Sequence, residues 1–174
     1  MGMGTGIYAE WVAFCVGAGT QLIIPLEEVV VDERARDGTW CRLPYPGHPD
    51  GCPNYPECIQ ERPHISDYVG YEWYGVVRRY DLSAHAEEMK AAHPGWSEIQ
   101  RRNDQEWQDE IVSELREEAD AFANPSAGDV VLERPEGHGV DMWATMAGNG
   151  IKLETNDPDV IHKIVLVGKR RQGA

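Results

Sequence analysis

The chain has no uninterrupted apolar run approaching the ~20 residues that a membrane-spanning helix needs. Its apolar stretch from Ile7 to Val16 contains Glu10, and no lysine or arginine precedes it, so the charged start of a secretory signal is missing too. Cations are scarce: 16 lysines and arginines face 30 aspartates and glutamates, for a net charge of −14. Such a surface repels a phosphate backbone, which argues against general nucleic-acid binding, and the acidity fits solubility or a salty environment instead. Lys169-Arg170-Arg171 is the one basic run, and residues 169–174 read as a solvated basic tail. There is no internal repeat and no low-complexity tract. A cytoplasmic protein without membrane association is expected.

What is present suits one ordinary folded domain over residues 1–174, 41% apolar and 26% charged. Residues 1–25 carry Gly2, Gly4, Gly6, Gly17 and Gly19 and resist assignment beyond one strand within 7–16. The Gly2-x-Gly4-x-Gly6 spacing follows no strand and precedes no helix, so it fails the context test for a dinucleotide fold. Residues 26–32, with three consecutive valines, read as a buried strand, and the aromatic and β-branched residues 71–80 as another.

A helix over 82–92 places His85 on its apolar face, as a satisfied core histidine, and His93-Pro94-Gly95 ends it. Ser97 and Gln100 form a capping box that starts a second helix, predicted to run to Phe122 with the stripe Ile99, Trp107, Ile111, Leu115, Ala119 and Phe122. Asn103 falls on that stripe and is expected to point inward. A strand over 129–133, a helix over 140–147 and a strand over 161–167 complete an α+β fold, a single sheet covered by helices. Glu136-Gly137-His138-Gly139-Val140-Asp141, before the last helix, reads as a capped helix start, with anion binding there as the sharper alternative.

Residues 41–64 stand apart. Six prolines (Pro44, Pro46, Pro49, Pro53, Pro56 and Pro63) forbid a helix or a central strand. A structureless loop of this length in a compact domain needs something to order it, and bound metal is one such agent. The spacing Cys41-x10-Cys52-x5-Cys58-x5-His64 provides the ligands. In a reducing compartment, clustered cysteines point to metal or redox chemistry rather than disulfides. Three sulfurs and the His64 nitrogen suit zinc, although no pair has the short gap of a zinc knuckle. Cys52-Pro53 suits an iron–sulfur loop, where a rigid turn orients amides towards sulfur. The plain alternatives are free cysteines packed as small hydrophobes and His64 as a surface histidine. His48 reads as a turn residue or a support for a ligand, and Cys15 as a buried structural thiol.

The run Trp40-Cys41-Arg42-Leu43-Pro44-Tyr45-Pro46-Gly47-His48-Pro49, followed by Gly51-Cys52-Pro53-Asn54-Tyr55, carries a family resemblance. So do Asp81-Leu82 with His85 and Met89, His93-Pro94-Gly95-Trp96-Ser97, Pro135-Glu136, Gly139-Val140-Asp141 and Gly150-Ile151. Over about residues 26–168 the chain resembles an uncharacterised group of cysteine-rich, predicted metal-binding proteins of bacteria, archaea and phages. The resemblance implies a metal or iron–sulfur site at Cys41, Cys52 and Cys58, without a reaction. In that group two adjacent cysteines sit early in the long helix, where this chain has Asn103 and Asp104, and a proline pair follows the third loop cysteine, where it has Ile59-Gln60. The fourth ligand is then His64, His48, Cys15, Asn103, Asp104 or an exogenous group, and oxygen ligands shift the preference from a cluster towards zinc.

The expectation is therefore a metal-binding protein with an iron–sulfur cluster, acting in or assisting redox or sulfur-transfer chemistry. The alternative is a non-catalytic interaction module whose loop is stapled by zinc and which presents Trp40, Tyr45 and Tyr55 to a protein partner. The sequence names neither a small-molecule substrate nor a partner.

Overall fold

A computed structural model describes residues 21–36, 62–102, 105–153, 157 and 159–171. The elements are β1 (Gln21–Leu26), α1 (Glu33–Arg36), β2 (Tyr71–Asp81), α2 (Leu82–Ala92), α3 (Glu98–Arg101), α4 (Gln105–Phe122), β3 (Val130–Leu132), α5 (Met142–Gly148) and β4 (Val160–Arg170). Short 3-10 turns lie at Ile65–Asp67, Pro125–Ala127 and Pro135–His138. The strands form one open antiparallel sheet in the order β1-β2-β4-β3, so the fold is α+β as expected. Among the described residues no helix is long and apolar enough to cross a membrane.

The two long strands, β2 and β4, form the centre, paired from Tyr71↔Arg170 to Asp81↔Val160. Alternation sends successive side chains to opposite faces. Val76 of β2 with Val165 and Val167 of β4 meets Leu115 and Ala119 of α4. Val77 and Leu166 look the other way, into a core with Ile65, Leu132, Val140, Met142, Met146 and Ile151. Gly75 admits Met146 to that second face, since a β-carbon there would lie 2.9 Å from the methionine methyl.

The strand expected at 26–32 is displaced: β1 ends at Leu26. Side chains from α5 and the turn after it capture the backbone beyond. Asn149 accepts from the Glu27 amide (2.6 Å) and donates to the Glu28 carbonyl (2.8 Å), and the Thr145 hydroxyl accepts from the Val30 amide (2.9 Å). The valine run contributes one bridge, Val31 to Val140.

The helix expected from Ser97 to Phe122 is two. Its capping box is present, with Gln100 Oε1 accepting from the Ser97 amide at 2.9 Å. At Arg102 the backbone (φ −94°, ψ 6°) leaves the helix after α3, while the Arg102 guanidinium pairs with Asp159. Ile99 consequently stands 84% exposed, off the core stripe, whereas Ile111, Leu115 and Ala119 are buried as expected. Lys169 and Arg170 close β4, and Arg171 follows directly. The Lys169 ammonium donates to the Phe122 carbonyl (2.9 Å) and Arg171 pairs with Glu72 (3.1 Å).

Candidate functional site

Cys41, Cys52 and Cys58 lie outside the described residues, as do Cys15, His48, Asn103, Asp104 and the expected strand within 7–16. What the structure describes are the residues that flank the cysteine segment in sequence. Its two flanks meet: Arg36, at the end of α1, donates from Nη2 to the Arg62 carbonyl at 2.8 Å. Ala35, beside it, is fully buried, which fixes the α1 end of the junction.

α1 is held by local chemistry. The Asp32 carboxylate accepts from the Arg34 amide (2.9 Å) and pairs with its guanidinium. The Arg34 side chain, foremost, keeps the Asp32 carboxyl below its usual range. Before α1, the chain is pinned to the Pro135–His138 turn and its exit by bonds from the Asp32 amide to the Gly139 carbonyl (3.0 Å) and from the Asp141 amide to the Val30 carbonyl (2.9 Å).

His64, at the other flank, caps the Ile65–Asp67 turn. Its Nδ1 accepts from the Ser66 amide (3.2 Å) and lies 2.6 Å from the Ser66 hydroxyl, while its own amide donates to Asp67 (2.8 Å). Its Nε2 lies 2.9 Å from Glu33 Oε1, an ion-pair contact without hydrogen-bond alignment, and is closed off from solvent. Gly139 packs directly on that nitrogen: a β-carbon there would sit 2.6 Å from it, and the φ of +85° favours glycine independently. Both imidazole nitrogens of His64 therefore have neighbours within the fold.

His138 joins the same junction from the opposite side. Its Nδ1 is 2.7 Å from the Pro63 carbonyl, one residue before His64. A carbonyl can only accept, so Nδ1 carries the proton. The ring is buried and leans on Tyr68 at 6.2 Å between centroids. Burial lowers the basicity of His138, against the opposing pull of the Pro63 carbonyl and with help from the charges of Arg62 and Arg36. The ring is held towards its neutral form. Burial likewise raises the carboxyl of nearby Glu136 above its usual range. His138 lines a cleft of about 380 Å³ with Arg62, Val131, Glu133 and Arg134.

Sequence reasoning placed His138 only within the 136–141 stretch, as part of a capped helix start with anion binding as the alternative. The stretch 136–141 reads as a helix start, and it is one: Asp141 caps α5 by accepting from the Ala144 amide at 2.9 Å. The signal that could have separated His138 from that role is the positive-φ glycine after it, which turns the chain so that the imidazole lies against residue 63. His85 is buried at the base of α2. Among the described residues no three histidine, cysteine or carboxylate side chains are grouped to hold a metal, so a metal at this junction needs ligands from the cysteine segment. No protein-family model, curated protein or solved structure matches the chain.

Proposed function

We propose that this chain is a metal-binding protein in which Cys41, Cys52 and Cys58 hold an iron–sulfur cluster, and that it acts in or assists redox or sulfur-transfer chemistry. One observation carries most weight: the flanks of the cysteine segment are drawn together by the bond from Arg36 to the Arg62 carbonyl, with the imidazoles of His64 and His138 beside that junction. Closing a long loop costs chain entropy, and a cross-link inside a loop whose ends are already joined closes a much smaller one. Positive charge from Arg36 and Arg62 would stabilise the reduced, more negative state of a cluster held between these flanks. A bound cluster would supply one-electron or sulfur-transfer chemistry, and the chain's own part is to fix the ends of its loop.

The second reading is a protein-interaction module stapled by zinc, and the nitrogen donors at the junction favour it, since three sulfurs and one imidazole are a common zinc set. Anaerobic purification, an absorption spectrum and elemental analysis for iron, zinc and sulfide separate the two. Broad absorption near roughly 400 nm with matching iron and sulfide is the expected result. Stoichiometric zinc without colour selects the staple, and protein that carries neither metal, and takes up neither on anaerobic reconstitution, overturns both.

A further inference from the structure

We propose that the cleft beside the Pro135–His138 turn binds the phosphate monoester group of a small molecule, held by Arg62, Arg134 and His138. Each of these residues lies among the described ones, and the site is independent of the metal-binding reading.

The cleft, at about 380 Å³, falls within the roughly 300–1,000 Å³ span of small-molecule sites. Arg62 enters it from the segment before His64, and Arg134 from the position just ahead of the Pro135–His138 turn. Glu133 lines it too, but its carboxylate is engaged by Arg116 of α4 at 2.9 Å, so its charge is offset by a partner from another element. The cleft is therefore a local reversal of sign in a chain of net charge −14, and the negative surface beyond about 8–10 Å is screened at physiological salt. Guanidinium groups present a planar fork of donors that matches pairs of phosphate oxygens.

His138 distinguishes phosphate from other oxyanions. Its Nδ1 donates to the Pro63 carbonyl, which leaves Nε2, and no group among the described residues bonds that atom. Burial foremost, against the Pro63 carbonyl and with the charges of Arg62 and Arg36, holds the ring towards its neutral form. A neutral Nε2 carries a lone pair and calls for a donor. A phosphate monoester, with a second pKa of about 6, can bring a hydroxyl to that lone pair while its remaining oxygens accept from the arginines. Sulfate and carboxylates bring no proton at neutral pH and would set an acceptor against an acceptor. Val131 adds apolar surface for the carbon beyond the ester oxygen. The mouth of α5, where the sequence allowed an anion, has no part in this, because Asp141 already accepts from the Ala144 amide there.

The test is titration of the full chain with inorganic phosphate, methyl phosphate and sulfate at neutral pH and constant ionic strength, followed by proton–nitrogen spectra of the His138 ring and the arginine side chains. Expected is a saturable shift of His138 Nε2 with phosphate and methyl phosphate, and sulfate binding weaker by at least about tenfold, as for one hydrogen bond to a charged group. Arg134→Gln and Arg62→Gln should each weaken phosphate binding by at least about tenfold. Arg171→Gln, whose arginine pairs with Glu72, should leave it unchanged. Arg134 is exposed, and Arg62→Gln retains the carbonyl that Arg36 bonds, so both variants keep the contacts of the fold. Sulfate bound as tightly as phosphate overturns the phosphate assignment. The absence of a shift, a shift that does not saturate, or phosphate binding in Arg134→Gln equal to wild type overturns the site. The ratio of phosphate to sulfate affinity is read on wild-type protein and stands whether or not a variant folds.

Discussion

The two faces of the sheet are built by different means. On one, α4 lays Leu115 and Ala119 over Val76, Val165 and Val167, and the two glutamates Glu114 and Glu118 clasp Arg78 of β2. Regular periodicity meets regular alternation, and that face carries no junction. On the other, a seven-residue helix and two 3-10 turns are tied down by single side chains: Thr145 to the Val30 amide, Asn149 to residues 27 and 28, His138 to Pro63. Apolar contact sets the stability of the first face, whereas point contacts set the geometry of the second. The histidines and the cysteine-segment flanks belong to the second.

The comparison is tested hardest by emptying the helical face. Leu115 is 1% exposed, and Leu115→Ala is expected to remove about 3 kcal/mol of stability through lost burial and the cavity left behind. Metal affinity, measured on the folded variant, should not change. Urea titration and cobalt titration of the same preparation check both halves, and a large loss of affinity in folded Leu115→Ala would show that the faces are not separable.

Gly139→Ala reverses the balance. The alanine meets a φ of +85° and places a methyl 2.6 Å from His64 Nε2, so about 1–3 kcal/mol of strain is expected together with a displaced His64 ring. Hydrogen exchange at the Ser66 amide, which donates to His64 Nδ1, should quicken here although the stability loss is smaller than for Leu115→Ala. Thr145→Val should cost less again, about 1–2 kcal/mol, because it leaves the Val30 amide without its acceptor at an otherwise unchanged volume. Hydrogen exchange at Val30, faster than at Val76 in the same variant, is the specific readout. Equal changes at both amides would point to global loosening instead.

How much could be read in advance follows the same division. The stripe of α4 and the strands β2 and β4 follow from period and composition, because packing there depends on where apolar residues recur. The valine run at 29–31 has the local signature of a strand, yet its amide partner is a threonine 115 positions away, and no window of the sequence contains both. Ile99 fits the helical stripe on spacing, but the helix ends at Arg102 and the register with α4 is lost. His138 illustrates the limit most sharply: capping chemistry at Asp141 explains the motif around it fully, and only the fold brings its ring to Pro63. For the proposed site, the sequence marks out three cysteines by clustering, and these lie outside the described residues.

A surface pair tests whether charge contributes as little outside both faces as the division implies. Asp159, where β4 begins, pairs with Arg102 just after α3, and that bond foremost, with one from Ser83, holds its carboxyl below the usual range. An acid whose folded pKa lies below its unfolded value of about 3.9 binds protons more readily when unfolded, so its contribution is present above roughly pH 4 and is lost as the pH falls through the folded value. Asp159→Asn should therefore be slightly less stable than wild type at pH 7 and converge on it in acid. Because the pair is only partly buried and is screened by solvent, the neutral-pH difference is expected to be the smallest of the four and to shrink further in high salt. Urea midpoints at pH 7 and near pH 2, each in low and high salt, measure it. A difference that is constant with pH would assign the effect to lost packing or backbone contacts at the strand end, and one as large as that of Leu115→Ala would mean that charge, and not apolar contact, holds the ends of the sheet to its helices.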